Sequence, residues 1–192
     1  MTVEESSLLI GELSTIHGRE KALSALLIDT VESGASVGFL TPIEPEAINA
    51  YWAETELALR QGSRKLFVAL DESRILGAVQ LAMCQKANGR HRGEVEKLMV
   101  RSDARGKGIG RELMHHLEPV AKQCGLSLLI LDTRQGDVAS HLYRALGYVE
   151  AGRIPRFALS TDGQLDTTVF FYKWLMESRG TAVGEGGKTD EI

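Results

Sequence analysis

The segment Arg105-Gly106-Lys107-Gly108-Ile109-Gly110 constrains this chain more than any other. It follows an apolar run ending at Val100 and opens an amphipathic stretch, so it reads as a strand–loop–helix junction. A helix start leaves backbone N–H groups unpaired and carries the positive end of the helix dipole. That combination attracts anions. Glycines at alternate positions remove Cβ atoms, which lets backbone approach a phosphate closely. Arg105, Lys107 and Arg111 set three cations around the same point. A pyrophosphate is the natural ligand of such a site; the bland alternative is a glycine-rich turn with solvated charges. Two common phosphate loops fit poorly. The P-loop needs Ser or Thr directly after its lysine, which here precedes the last glycines. The dinucleotide fingerprint has a wider final glycine spacing and opens a first βα unit, whereas the strands upstream here look antiparallel.

Apolar spacing predicts helices over residues 15–32, 45–61, 108–123 and 138–146, the second opening at Pro45. Pro119 should kink the third or end it early. Strands are predicted over 65–70, 75–85, 94–100, 126–131, 148–157 and 167–174. The run 126–131 reads as a central strand buried on both faces. The first residues should be loose, and the Gly-rich polar stretch 177–192 a disordered tail. Helices, a hairpin, a strand–helix–strand unit and a terminal hairpin make one α/β (α+β) domain over 1–176, a mixed and mostly antiparallel sheet with flanking helices.

Charge and composition narrow the partners. A net charge of -4 argues against a general nucleic-acid binder. No run nears the ~18–20 apolar residues of a membrane span, and no basic stretch precedes an apolar one at the N-terminus. Cys84 and Cys124 fall on apolar runs and read as buried free thiols, consistent with a reducing cytoplasm. The histidines His17, His91, His115, His116 and His141 match no ligand spacing, so no metal is expected.

The glycine loop resembles the acyl-CoA loop of the GNAT N-acetyltransferase superfamily, with Arg105, Gly108 and Gly110 at its fixed positions. Lys97-Leu98-Met99-Val100 resembles the strand before that loop, and Tyr143 through Gly147-Tyr148 a downstream family segment. Within the superfamily, the stretches 34–39 and 94–100 are similar to a branch that acetylates a β-lactam amino-acid toxin. The resemblance implies acetyl-CoA as donor and a central parallel strand pair that splays apart. It implies that the Leu98-Met99-Val100 backbone meets the pantetheine, and that the loop from Arg105, Gly106, Lys107, Gly108, Ile109 and Gly110 to Arg111 holds the pyrophosphate.

Attack of an amine on a thioester needs a base, because the amine is mostly protonated near neutral pH. Strand alternation puts Glu94, Glu96, Leu98 and Val100 on one face. Glu94 is the first candidate base and Asp132, ending the run 126–131, the second; both also read as ordinary strand or cap residues. The resemblance places Tyr143 near the thioester sulfur as a proton donor. Where the family often has Asn, this chain has Gly136 beside Asp137, a candidate helix cap. Lys86, Arg90 and Arg92 could pair with an acceptor carboxylate, while Glu94, Glu96 and Asp132 receive its ammonium. The implied function is acetyl transfer to a small amino-acid-like amine, a toxin or antibiotic among them, by a monomer or homodimer. A peptide N-acetyltransferase and a non-catalytic acyl-CoA-binding module are the alternatives.

Overall fold

The computed structural model describes residues 8–72 and 74–175, so the tail expected over 177–192 lies outside the described residues. Strands β1 (Leu9–Leu13), β2 (Arg64–Asp71), β3 (Arg74–Met83), β4 (Arg92–Val100), β5 (Leu128–Arg134), β6 (Val149–Leu159) and β7 (Leu165–Trp174) form one sheet in the order β1-β2-β3-β4-β5-β7-β6. Every neighbouring pair is antiparallel except β4–β5. The mixed, mostly antiparallel architecture expected from the sequence is the one observed.

Alternation along β2 divides the core in two. Leu66 and Val68 pack beneath α1 (Glu20–Glu32) and α2 (Pro45–Arg60), with Leu23, Leu26, Leu27 and Trp52. Phe67 and Ala69 point to the opposite face, where α3 (Ile109–Gln123) and α4 (Ala139–Ala145) lie. Leu113, Met114, Leu117 and Ala121 of α3 are buried there at helical spacing. Pro119 neither ends nor shortens α3; it is exposed, with the apolar stripe on the other side.

Several boundaries move. Residues 9–13, to which the sequence assigned no element, form an edge strand whose Ile10 pairs with Ala69. Helix α1 starts at Glu20 rather than 15, because the Glu56 carboxylate captures the Thr15 hydroxyl and the Ile16 N–H. Strand β5 runs to Arg134, so Asp132 lies inside it rather than at its end. Its burial alternates: Leu129 and Leu131 are buried while Asp132 is exposed, so it is not covered on both faces. Cys124 is exposed just past the end of α3, and Cys84 is half-buried with its Sγ 3.4 Å from the Arg92 guanidinium. Neither is the core thiol expected. No described helix is long and apolar enough to cross a membrane.

Candidate active site

Strands β4 and β5 pair only at Arg92↔Leu128, Gly93↔Leu129 and Glu94↔Ile130. Beyond Glu94 they part, although β4 stays paired with β3 as far as Val100. The sheet therefore opens a wedge at its centre. The Arg101 N–H bonds the Leu76 carbonyl, which makes Gly77↔Val100 a non-hydrogen-bonded pair. The N–H and C=O of Val100 consequently point away from β3, into the gap.

A bulge in β4 decides what faces the wedge. Ala78 pairs with Met99 and Gln80 with Glu96, so β4 carries one extra residue between them. Lys97 takes up the difference with φ 53, in the left-handed region. The bulge reverses the alternation. Val95, Leu98 and Val100 pack toward the α3 side, whereas Met99 joins the α1–α2 core. The Lys97 Nζ lies 5.9 Å from the Tyr51 ring centroid, on the α2 side. Glu94 and Glu96 thus do not share a face with Leu98 and Val100, as simple alternation predicts; the two sets look out from opposite sides of the sheet.

On the α3 side, the glycine loop behaves as its composition requires. Gly108 is the N-cap of α3 at φ 80, and no side chain caps the helix. A Cβ at Gly106 or Gly108 would meet open space, so these glycines serve backbone conformation and leave the approach clear. At Gly110 a Cβ would come within 3.3 Å of Leu142 Cδ2, so here glycine permits the α4 contact. The first N–H groups of α3 have no intrahelical acceptor. Among the described residues Lys107 and Arg111 form no ion pair. Arg105 differs: its guanidinium bonds Ser33 Oγ and the Val100 carbonyl, bracing the loop against α1 and β4. The Asp29 carboxylate adds a second brace by accepting from the Ser102 N–H at 2.7 Å.

On the other face stand the acids. Glu94 and Asp132 have no hydrogen bond or ion pair among the described residues. Burial raises the Glu94 carboxyl above its usual range, and the charges of Glu96 and Asp132 push it further. Asp132, at the open end of the wedge, is also raised, chiefly by desolvation; Lys97 opposes the shift and Glu96 adds to it. Glu96 is held by Arg64 at 2.9 Å. Arg64 also donates to Gln80, whose amide donates to the Tyr51 hydroxyl at 2.6 Å. Burial raises the Tyr51 phenol to about 12, against the pull of its Gln80 bond. Phe39 meets the Tyr51 ring edge-on at 5.3 Å.

Tyr143 is buried on α4 between Tyr148 and Phe171. Burial raises its phenol, with Asp137 and Asp132 contributing, so at neutral pH it is a proton donor rather than a phenolate. Asp137 precedes Val138, the N-cap of α4, and its carboxylate accepts from the Ala139 N–H at 3.1 Å. The stretch 86–92 holds a short 3₁₀ turn at Ala87–Gly89 and enters β4 at the closed end of the wedge. Sequence reasoning singled out Glu94, Asp132, Tyr143 and the loop, but not the Lys97, Tyr51, Gln80 and Arg64 side chains that the structure groups around Glu96. The one available signal was a lysine beside two alternating acids, Glu94-Val95-Glu96-Lys97.

The chain is similar in sequence and fold to known proteins. Residues 31–148 match the acetyltransferase (GNAT) family. An L-methionine sulfoximine/L-methionine sulfone acetyltransferase of Pseudomonas aeruginosa is 30% identical over 146 residues, covering 75% of this chain and 83% of that protein. A ribosomal-protein-alanine N-acetyltransferase from Brucella melitensis superposes with a TM-score of 0.72 at 26% identity, over 86% of this chain and 99% of that one. A chain from Salmonella typhimurium, solved with its cofactor acetyl-CoA, gives a TM-score of 0.72 at 17% identity, over 97% and 100% of the two chains. This chain belongs to the GNAT family: it is an acetyltransferase.

Proposed function

We propose that this GNAT enzyme transfers the acetyl group of acetyl-CoA to the amine of a small free amino acid, with Glu94 and Asp132 receiving the amine and Tyr143 serving the leaving thiol. One observation carries the reading. The β4–β5 wedge has an uncapped glycine-rich helix start on one face and two unpartnered, raised carboxyls on the other. Similarity to an acetyltransferase of amino-acid analogues supports a free amino acid as acceptor.

The residues fit the donor. The N–H groups from Gly106 to Arg111 would hold its pyrophosphate, with Lys107 and Arg111 supplying charge. Arg105 would hold the loop in place rather than face the phosphates. The Val100 N–H and the Leu98-Met99-Val100 edge of the wedge would bind the pantetheine. Bound acetyl-CoA supplies an acetyl group activated as a thioester.

Glu94 acts as the base. A carboxyl raised by burial sits closer to neutral pH than a solvated one, which suits it to accept the proton of the acceptor ammonium. Asp132, across the wedge on the same face, holds the amine in place. As the amine nitrogen bonds the acetyl carbon and the carbon–sulfur bond breaks, the Tyr143 phenol gives its proton to the departing sulfur, and the nitrogen's second proton replaces it on the phenol.

Thiol release from acetyl-CoA tests this against a panel of amines. The panel includes L-methionine sulfone, L-methionine sulfoximine, β-lactam amino acids and a peptide with N-terminal alanine. Release with free amino acids and none with the peptide is the expected result. Release with the peptide alone would favour a protein N-acetyltransferase, and binding of acetyl-CoA without release for any acceptor would favour a non-catalytic module.

A further inference from the structure

We infer that the Lys97 ammonium docks the acceptor's carboxylate and so selects free α-amino acids over amines that lack one. The inference rests on the acetyl-transfer reading above and adds the group that reads the acceptor's second charge.

Lys97 occupies a costly backbone. A side-chain-bearing residue is disfavoured in the left-handed region, and Lys97 holds φ 53 there. The bulge turns its side chain onto the face of Glu94 and Glu96. Its ammonium is held over the Tyr51 ring, and a Cβ on Gly38 would lie 3.3 Å from Nζ. Burial lowers the Lys97 ammonium below its ordinary range, while the charges of Glu96, Asp132 and Glu94 partly restore it. Yet no carboxylate of the described residues reaches ion-pair distance. A half-buried cation among acids, contacting none of them, leaves room for an anion from outside.

The neighbouring cations are already committed. Arg64 is tied to Glu96 and Gln80. Arg134 donates to the Gly34 carbonyl at 3.0 Å and lies 3.7 Å from Asp166. Lys86, Arg90 and Arg92, the cations expected from the sequence to take this carboxylate, sit at the closed end of the wedge. Lys97 stands instead where the wedge opens, on the face that carries Glu94 and Asp132. An α-amino acid bears both charges on one carbon. With its carboxylate on Lys97, its ammonium falls among the acids, and the two contacts fix the amine's direction of approach.

The test compares L-methionine sulfone with its decarboxylated amine in the wild type, Lys97→Met and Lys97→Arg. Acetyl-CoA is saturating, and kcat and KM are measured separately. Loss of a charge-assisted contact should raise KM for the amino acid about tenfold to a hundredfold in Lys97→Met. Its KM for the amine should stay near wild type, and kcat should change by the same factor on both acceptors, because the Lys97 charge also acts on Glu94 and Asp132. Lys97→Arg should keep most of the preference. An equal rise in KM on both acceptors would make Lys97 an electrostatic support for Glu94 and overturn the inference, as would an unchanged KM. Should Lys97→Met fail to fold, the wild type still decides: equal KM for the two acceptors overturns carboxylate recognition. A wild type that acetylates neither compound removes the acetyl-transfer reading itself, a result distinct from acetylating both without preference.

Discussion

Glu56 and Glu94 are both glutamates drawn out of bulk water, and the fold treats them in opposite ways. Glu56 accepts from the Thr15 hydroxyl, the Ile16 N–H and the Arg60 guanidinium. These bonds, led by that of Ile16, lower its carboxyl below the usual range. Glu94 has none of them; burial and like charges raise it. The first glutamate fastens the chain entering α1 to α2. The second is left in its costly charged state beside a gap in the sheet. A fold under no other demand would have partnered both. On the proposed reading, the unpartnered Glu94 carboxyl marks where chemistry takes precedence over stability.

The contrast yields predictions with opposite signs. Glu94→Gln should lower kcat about a hundredfold to ten-thousandfold while acetyl-CoA affinity by calorimetry stays near wild type. The same variant should melt higher. A carboxyl raised in the folded state binds protons more tightly there than in the unfolded chain, so the fold loses stability as pH rises and Glu94 ionises. Removing that charge should raise Tm by about 1–3 °C near neutral pH. A lower Tm with intact turnover would reverse the assignment. Tyr143→Phe should reduce kcat about tenfold with little change in KM, since only proton donation to sulfur is lost. Gly108→Ala should weaken acetyl-CoA binding about fivefold to tenfold, because alanine resists the left-handed N-cap; unchanged affinity would detach the loop from the cofactor. Glu56→Gln should leave kcat and KM alone and lower Tm by several degrees. The Glu56 contribution should also fade as pH falls, because a carboxyl lowered in the folded state stabilises only while ionised.

What could be read in the sequence follows the same division. Helix α2 was legible from Pro45 and its apolar spacing, and the glycine loop from the fixed demands of an uncapped helix start. The β2–β3 hairpin and the terminal β6–β7 hairpin followed from apolar runs separated by turn residues. Strand β1 was not legible: its edge position leaves Leu9 exposed and its alternation weak. The bulge was hidden for another reason. A left-handed residue normally announces itself as glycine, but here it is Lys97, and the conformation comes from the sheet around it. Glu94 was therefore legible as a candidate while its geometry was not. The strand was expected to present Glu94 and Val100 together, and the bulge sends them to opposite faces of the sheet. Arg105 was placed at the phosphate by its charge and by the loop's resemblance, and only its bonds to Ser33 and Val100 reveal a bracing contact.

The most direct test of the contrast is a carboxyl-carbon NMR titration of the two glutamates in one sample, assigned with Glu56→Gln and Glu94→Gln. Glu94 should take up its proton at a pH above the ordinary glutamate value, and Glu56 below it. Matching titrations at the ordinary value, or the reverse order, would contradict the account.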